Sequence, residues 1–174
     1  MKVRIIYDSK FGSNIKVAEY MKELLSESHN VAVSYAKDIS PQQVLKESPD
    51  ALLFGGPLRM GNLSRTIRKW AQKFAKSAEK QGYTLQRLGA WETKSFVSEE
   101  DKNNAEGMEK KLLDKMENTP DVLKGLMKAI PLEGDVAEPL SLYIIMPPND
   151  EMSEGKLEEG YQEKVQGFLS KIFD

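Results

Sequence analysis

Short apolar runs and longer amphipathic segments alternate along the chain. Apolar runs with the length typical of buried strands lie at 3–7, 31–36, 51–55 and 140–146. A fifth run, 83–91, is weaker because Gln86 and Arg87 interrupt it. The pattern therefore predicts five strands.

Between these runs, apolar residues recur at the three- and four-residue spacing of an amphipathic helix, as Ile67, Trp70 and Phe74 do. Helical segments are predicted in this way at 14–27, 41–47, 62–79, 105–116 and 157–172. Thr119 and Pro120 are typical of an N-cap followed by a proline at the first helical position.

Strands that alternate with helices predict an α/β fold, in which a mostly parallel sheet is covered by helices on both faces. The length of 174 residues fits a single domain, 1–174. The stretch 131–139 is predicted to be an irregular loop. Ligands of such sheets bind beyond the carboxyl ends of the strands. The ligand loops are therefore expected at 8–14, 55–62, 91–98 and 147–152.

Composition and charge exclude several classes of function. Lys and Arg number 25 against 27 Asp and Glu, a balance that argues against nucleic acid as a partner. The chain has no cysteine and its only histidine is His29, which excludes thiol chemistry, disulfides, histidine metal clusters and a Ser-His-Asp triad. No signal peptide and no membrane span are recognisable, so a cytoplasmic location is expected. Any redox chemistry then comes from a bound cofactor.

The stretch YDSKFGSN, residues 7–14, follows the first strand and leads into the first helix. Gly12 allows close approach of the backbone to a ligand, Ser9 and Ser13 supply hydroxyls, and a helix N-terminus attracts anions. The loop is neither GxxxxGK[ST] nor GxGxxG. From these residues alone it is either a phosphate site or a strand–helix turn with Ser13 as the N-cap.

The same stretch resembles the phosphate-loop signature of the flavodoxin family. The positions that match in register are Ile5, Ile6, Tyr7, Ser9, Gly12, Asn14 and Ala18. SKFGSN is also similar to the SKYGST sequence of flavodoxin-domain protoporphyrinogen oxidases. The family usually has threonine where this chain has Asn14, whose amide also donates hydrogen bonds, and Asp8 would repel a phosphate unless its side chain points away. The resemblance implies cofactor contacts from Ser9, Lys10, Phe11, Gly12, Ser13 and Asn14.

A second loop resembles the same family. DALLFGGPLRMGN, residues 50–62, is similar to the third strand and ligand loop, where Gly-x-Pro precedes an aromatic–Gly–Asp tip beside the isoalloxazine ring. Met60 stands at the aromatic position, and Gly61 tolerates both peptide orientations that the family uses next to the flavin. The resemblance implies cofactor contacts from Pro57, Leu58, Arg59, Met60, Gly61 and Asn62.

The third loop, in LGAWETKSF (88–96), resembles the fourth strand of the family and the loop after it. The resemblance implies that backbone groups of Glu92, Thr93 and Lys94 face the pyrimidine edge of a flavin. Trp91 and Phe96 are either neighbours of the ring or ordinary core residues.

The family resemblance implies a flavodoxin-like three-layer, doubly wound sandwich with a five-stranded parallel sheet in the order 2-1-3-4-5. It implies one FMN, no catalytic side chain and no metal, and a role in carrying electrons between partner proteins, a reductase and an acceptor. Two alternatives stay open: an FMN-dependent oxidoreductase of the NAD(P)H:quinone or protoporphyrinogen type, and a module of the same fold that binds no flavin.

An acidic cluster near the C-terminus has two interpretations, a solvated helix start or a docking surface for a basic redox partner. Its members are Asp150, Glu151, Glu154, Glu158 and Glu159.

Overall fold

The computed structural model describes residues 1–59, 61–145 and 155–174. The strands in these ranges are β1 (Lys2–Tyr7), β2 (Asn30–Tyr35), β3 (Ala51–Arg59), β4 (Asn62–Leu63), β5 (Leu85–Ser95), β6 (Leu132–Val136), β7 (Leu140–Ile145) and β8 (Lys156–Leu157). The helices are α1 (Ser13–Leu25), α2 (Pro41–Glu47), α3 (Arg65–Gln81), α4 (Glu99–Asn104), α5 (Gly107–Glu117), α6 (Thr119–Lys128) and α7 (Tyr161–Phe173).

The central sheet has the order β2-β1-β3-β5-β7-β8. β1 pairs in parallel with both β2 and β3, and β5 pairs in parallel with β3 and β7. β5 corresponds to the predicted fourth strand and β7 to the predicted fifth, so the predicted order 2-1-3-4-5 is confirmed. The short β8 is antiparallel to β7 at the edge.

Two apolar cores cover the two faces of the sheet, as the alternation of strands and helices predicted. Ile6, Leu52 and Phe54 project toward the side that α2, α3 and α6 cover. Val3, Ile5 and Leu53 alternate with them and project toward α1 and α7. The strands have a period of two and so bury apolar residues on both faces of the sheet. Each amphipathic helix, with a period of 3.6, buries one apolar side against a face, which gives a helix–sheet–helix arrangement of three layers.

The prediction of an irregular loop at 131–139 is wrong for part of that stretch. Residues Leu132–Val136 form β6, which pairs in parallel with the first half of β5, while β7 pairs with the second half. On the side of β5 that faces away from β3, the backbone N–H and C=O groups need hydrogen-bond partners, and β6 supplies them over the first half of the strand. Gly134 permits this pairing, because a Cβ at this position would lie 1.9 Å from the carbonyl oxygen of Gln86.

One helix was not predicted, and two helix starts need correction. α4 was not predicted, since its sequence EEDKNN buries no residue and has no apolar face to recognise. The N-cap of α6 is Asn118, because the hydroxyl of Thr119 donates to the carbonyls of Lys115 and Met116 at 3.0 and 3.1 Å. α3 was predicted to begin at residue 62. It begins at Arg65 with Ser64 as its N-cap, because Asn62 pairs with β3.

Candidate functional site

The carboxyl ends of β1, β3 and β5 surround a cleft of about 240 Å³. Residues from all three loops that the sequence singled out contribute to its walls. The predicted site residues that line it are Ser9, Lys10, Phe11, Ser13, Asn14, Pro57, Leu58, Arg59, Thr93 and Lys94. Ser95, Ile144 and Gly155 also line it and were missed, because β5 extends further than its apolar run and the last strand gave no motif.

The first loop forms a tight turn at the start of α1. Gly12 is the N-cap of α1 with φ 87°, a left-handed conformation that favours glycine, so Ser13 is the first helical residue and not the cap. The hydroxyl of Ser9 accepts a hydrogen bond from the Gly12 N–H at 3.1 Å. Among the residues that the structure describes, no side chain caps this helix end, and the first turn contains no acidic residue; free N–H groups at such a helix end favour an anion.

Asn14 connects this helix to the sheet. Its side chain is 2% exposed; its amide donates to the Thr93 hydroxyl at 2.8 Å, and its carbonyl accepts from the Trp91 indole N–H at 2.9 Å. The amide is therefore committed to β5, so the role of Asn14 in the structure is to fix the position of the first loop against the third. Trp91 is a core residue that supports this contact, with its ring packed against Gly55.

Asp8 points away from the cleft. It is 3% exposed, and its carboxylate accepts a hydrogen bond from the hydroxyl of Ser64, which also caps α3 by accepting from the Ile67 N–H at 3.3 Å. Asp8 is thus held at the N-terminus of α3, where the helix dipole favours a negative charge. Because its side chain points away, Asp8 is compatible with an anion in the cleft.

The cleft is cationic. Among the described residues that line it, Lys10, Arg59 and Lys94 are basic and none is Asp or Glu; the charge of Lys94 is paired with Glu92, so Lys10 and Arg59 provide the positive charge. The ammonium of Lys10 lies 4.8 Å from the ring centroid of Phe11, on the first loop. Phe11, Pro57, Leu58 and Ile144 add apolar wall. The cleft can therefore hold a ligand that combines an anionic end with an apolar body.

Glu92 lies beneath the cleft with its side chain in the core, fully buried. One carboxylate oxygen accepts from the Ser141 hydroxyl at 2.9 Å and lies 3.3 Å from the Lys94 ammonium. In the part of the chain that the structure describes, the other oxygen has no hydrogen-bond partner. Burial raises the pKa of the Glu92 carboxyl above its ordinary value, while Lys94 and Ser141 act in the opposite direction.

Lys94 shares the environment of Glu92. Its ammonium also donates to the carbonyl of Met116 at 3.4 Å and lies 5.6 Å from the ring centroid of Tyr143. The side chains of Glu92 and Lys94 are thus directed at each other and at other protein groups, and any contact that Glu92 makes with a ligand has to come from its backbone.

Most of the second loop, predicted at 55–62, belongs to two paired strands. β3 continues to Arg59, and β4 returns antiparallel to it, with Arg59 opposite Asn62 and Leu58 opposite Leu63. Gly61, with φ 68°, packs against α5, where a Cβ would lie 2.8 Å from Cβ of Lys115. Gly61 and Asn62 do not line the cleft, and Met60 lies outside the described residues.

A second cavity of about 540 Å³ adjoins the cleft and shares Leu58 and Ser95 with it. Its other walls include Gly61 and Phe96 from the sheet side, and Leu112 and Met116 from α5. The sequence did not predict it, because it depends on α4 and on the way that α5 packs against the hairpin.

The acidic cluster is only partly within the described residues. Asp150, Glu151 and Glu154 lie outside them. Glu158 has structural partners, since its carboxylate accepts from the Tyr143 N–H at 2.9 Å and pairs with Lys164 at 2.7 Å.

A family profile described as "Flavodoxin domain" matches residues 4–131. A flavodoxin from Clostridium saccharobutylicum is 34% identical over 71 residues, a match that covers 40% of this chain and 44% of that protein. This chain thus spans less than half of that relative. In the described ranges, no helix combines the length and the apolar character needed to cross a membrane.

Solved structures show the same fold. Flavodoxin 2 from Bacillus cereus, in its oxidised state, superposes with a TM-score of 0.60 at 18% identity, covering 98% of this chain and 97% of that one. An archaeal flavodoxin gives a TM-score of 0.58 at 17% identity, covering 96% and 90%. Rubredoxin oxygen:oxidoreductase from Desulfovibrio gigas gives 0.65 at 16% identity; 98% of this chain matches, but only 35% of that larger chain.

Proposed function

The chain belongs to the flavodoxin family, and from this premise we propose that it binds one FMN non-covalently in the cleft and carries electrons between redox partner proteins. The observation that carries this proposal is the convergence of the three loops on one cationic cleft at the N-terminus of α1. Bound FMN would supply the redox chemistry, and the protein would position it and tune it.

The residues around the cleft fit the two ends of FMN. The phosphate would be held by the N–H groups of the first turn of α1, by the hydroxyls of Ser9 and Ser13, and by the charge of Lys10. The apolar wall formed by Phe11, Pro57, Leu58 and Ile144 suits the ring system. Arg59 and the backbone of Thr93 and Lys94 would hold the polar edge of the ring.

Other residues act on the site indirectly. Asn14 fixes the first loop against the third through Thr93 and Trp91, so the phosphate end and the ring end keep a constant separation. Ser64 holds Asp8 away from the anion. These contacts preorganise the cleft, which reduces the ordering that binding must supply.

The proposal is tested by FMN titration of wild-type protein and of two glycine variants. Gly12→Asp places a carboxylate at the phosphate and should weaken FMN binding by at least about 100-fold, on the order of the 2–3 kcal/mol that like charges in a partly buried site produce. Gly82→Asp is the matched control: Gly82 also has a left-handed conformation (φ 62°), but it caps the far end of α3 in open space. Binding is followed by quenching of flavin fluorescence and by the visible spectrum.

Equal affinities in the two variants would mean that the phosphate lies elsewhere. Riboflavin, which lacks the phosphate, separates the two ends of the ligand: wild-type protein should bind it much more weakly than FMN. If wild-type protein changes neither the fluorescence nor the visible spectrum of FMN, the alternative of a module of the same fold that binds no flavin would be favoured.

The second cavity supports a second candidate function, an FMN-dependent oxidoreductase of the NAD(P)H:quinone or protoporphyrinogen type. It adjoins the cleft through Leu58 and Ser95 and offers an apolar wall of Phe96, Leu112 and Met116, as a second substrate next to a flavin would require. Steady-state turnover of NADPH and a quinone without any added reductase would favour the enzyme. Absence of turnover, together with FMN binding, favours the carrier.

A further inference from the structure

The exposed side of α3 is unusually basic for this chain. The helix contains six of the 25 Lys and Arg residues but only one of the 27 Asp and Glu residues, Glu79. Five exposed cations follow one another at a spacing of three or four residues and form the basic stripe, which consists of Arg65, Lys69, Lys73, Lys76 and Lys80. The buried residues Ile67, Trp70 and Phe74 lie on the opposite side of the helix.

Most of the basic stripe does not stabilise its own helix; Lys80, in the last turn, is the exception, because the helix dipole favours a cation there. Neighbouring members such as Lys69 and Lys73 are four residues apart, a spacing at which like charges repel. Arg65 places a cation in the first turn, which contains no acidic residue, although the helix dipole favours a negative charge there. Within residues 1–59, 61–145 and 155–174, no ion pair joins a member of the stripe to a carboxylate.

Other helices of the same chain show the opposite design. Lys22 pairs with Glu19 in α1 at 3.7 Å, and Lys102 pairs with Glu99 in α4 at 2.8 Å, both three residues apart. On α3 the only carboxylate, Glu79, lies near the C-terminal end, so the cations from Arg65 to Lys73 have no carboxylate of the same helix within four residues. Positions that violate local stability rules without internal compensation are typical of surfaces that serve another molecule.

The position of the basic stripe connects it with the cleft. Arg59, at the end of β3, lines the cleft, and Arg65 follows it immediately after the hairpin. From there the 17 residues of α3 extend the stripe over about 25 Å. Beside it lies an open groove of about 450 Å³ with Lys37, Lys69 and Lys73 in its walls and Asp38 as its one acidic lining residue among those described.

We propose that the basic stripe of α3 is the docking surface for a small acidic electron-transfer protein, an inference that rests on the proposed function. Carboxylates of such a partner would pair with the unpaired cations and enter the groove beside Lys37, while its redox centre faces the mouth of the cleft. This arrangement assigns the partner's charge as negative, opposite to the basic partner that the acidic C-terminal cluster suggested.

A compact protein fits this surface better than an extended polyanion. α4 borders the second cavity beside the cleft, and its first turn exposes Glu99, Glu100 and Asp101. These carboxylates would repel a nucleic acid or an anionic membrane that extended beyond the stripe across the cleft. A partner whose footprint is confined to the stripe avoids them.

The test compares two double variants with the same change in net charge. Lys69→Glu/Lys76→Glu reverses two charges of the stripe. Lys22→Glu/Lys171→Glu reverses two exposed or half-exposed charges on α1 and α7, on the opposite side of the sheet. The probe is an acidic plant-type ferredoxin, reduced with dithionite, whose electron transfer to the FMN-loaded protein is followed by stopped flow at several salt concentrations.

We expect the second-order rate constant to fall by about tenfold or more in the stripe variant at low salt and less than about twofold in the control, since steering by complementary charge has effects of this size. The wild-type rate should also decrease with salt. Oxidised cytochrome c, which is basic, should show no loss with the stripe variant. Equal losses in the two variants, or a faster reaction of ferredoxin with the stripe variant, would overturn the proposal.

Amide chemical shifts give a measurement that does not require flavin. Adding the same ferredoxin to the ¹⁵N-labelled protein, with or without FMN, should shift the amides of α3 and leave those of α7 unchanged. Chemical-shift changes in α3 in a protein that binds no FMN would support the docking surface and contradict the proposed function. Binding of duplex DNA or of phosphatidylserine vesicles to α3, with no response to ferredoxin, would reject the acidic protein as the occupant.

Discussion

At the scale of single residues, Glu92 stands out among the described carboxylates because it is removed completely from water. Burial raises the pKa of the Glu92 carboxyl above its ordinary 4.5, against the smaller opposing effects of Lys94 and Ser141. The folded state therefore holds this proton more tightly than the unfolded chain does. Its contribution to stability is complete below the ordinary pKa and is lost as the pH rises through the raised one.

Glu92→Gln should remove this dependence. The free energy of unfolding of the wild-type protein should decline relative to that of the variant as the pH rises above about 4.5, because only the wild-type carboxyl has to ionise in the core. Urea unfolding followed by the fluorescence of Trp70 and Trp91 at a series of pH values measures it. Glu109→Gln, at an exposed position of α5, is the control and should follow the wild-type profile. Parallel profiles for wild type and Glu92→Gln would contradict the assignment.

At the scale of secondary-structure elements, the pairing of β6 with β5 depends on a single glycine, Gly134. Gly134→Ala should destabilise the protein by about 1–3 kcal/mol, the usual cost of overpacking, because its Cβ would collide with the backbone of Gln86. Gly125→Ala is the matched control: Gly125 lies within α6 with open space around it, and alanine there should stabilise by about 0.5–1 kcal/mol. Denaturant unfolding of both variants gives the comparison, and equal effects would show that β6 tolerates a side chain at this position.

The elements that the sequence predicted well are those whose signal is local. The first loop could be recognised because Ser9, Gly12 and the start of α1 lie within a few residues of one another. β6 and α4 escaped recognition for different reasons: β6 exists because β5 needs a partner, and α4 has no apolar face. The spacing of apolar residues along the sequence therefore could not predict β6 or α4.

Contacts between distant residues could not be predicted at all. Asn14 and Thr93 are 79 residues apart, and Asp8 and Ser64 are 56 apart. Both contacts depend on which strands are neighbours in the sheet. The sequence could identify Asn14 as unusual for the family and Asp8 as a carboxylate that would repel a phosphate, but only the fold shows that Asn14 joins two loops and that Asp8 points away from the cleft.

At the scale of the whole molecule, the cleft is assembled from parts of the chain that the sheet order brings together: the β1–α1 loop, the β3–β4 hairpin and the end of β5. A ligand in this cleft contacts all of them at once, so its binding free energy is added to the stability of the whole fold. FMN at about 100 times its dissociation constant should stabilise the protein by about 2.7 kcal/mol. For a chain of this length, each kcal/mol shifts the melting temperature by roughly 2–4 °C.

Thermal unfolding monitored by circular dichroism, with and without FMN, should therefore show a rise in Tm of roughly 5–10 °C for the wild-type protein. Gly82→Asp should show the same rise from a somewhat lower starting Tm, because it changes only the C-cap of α3, where the left-handed conformation is unfavourable for aspartate. Gly12→Asp should show little or no rise at the same FMN concentration, since the added carboxylate opposes the phosphate. A full rise in the Gly12→Asp variant would place the stabilising contact outside the first loop. A rise that riboflavin reproduces in the wild-type protein would assign the stabilisation to the ring alone, and would remove the N-terminus of α1 from the site.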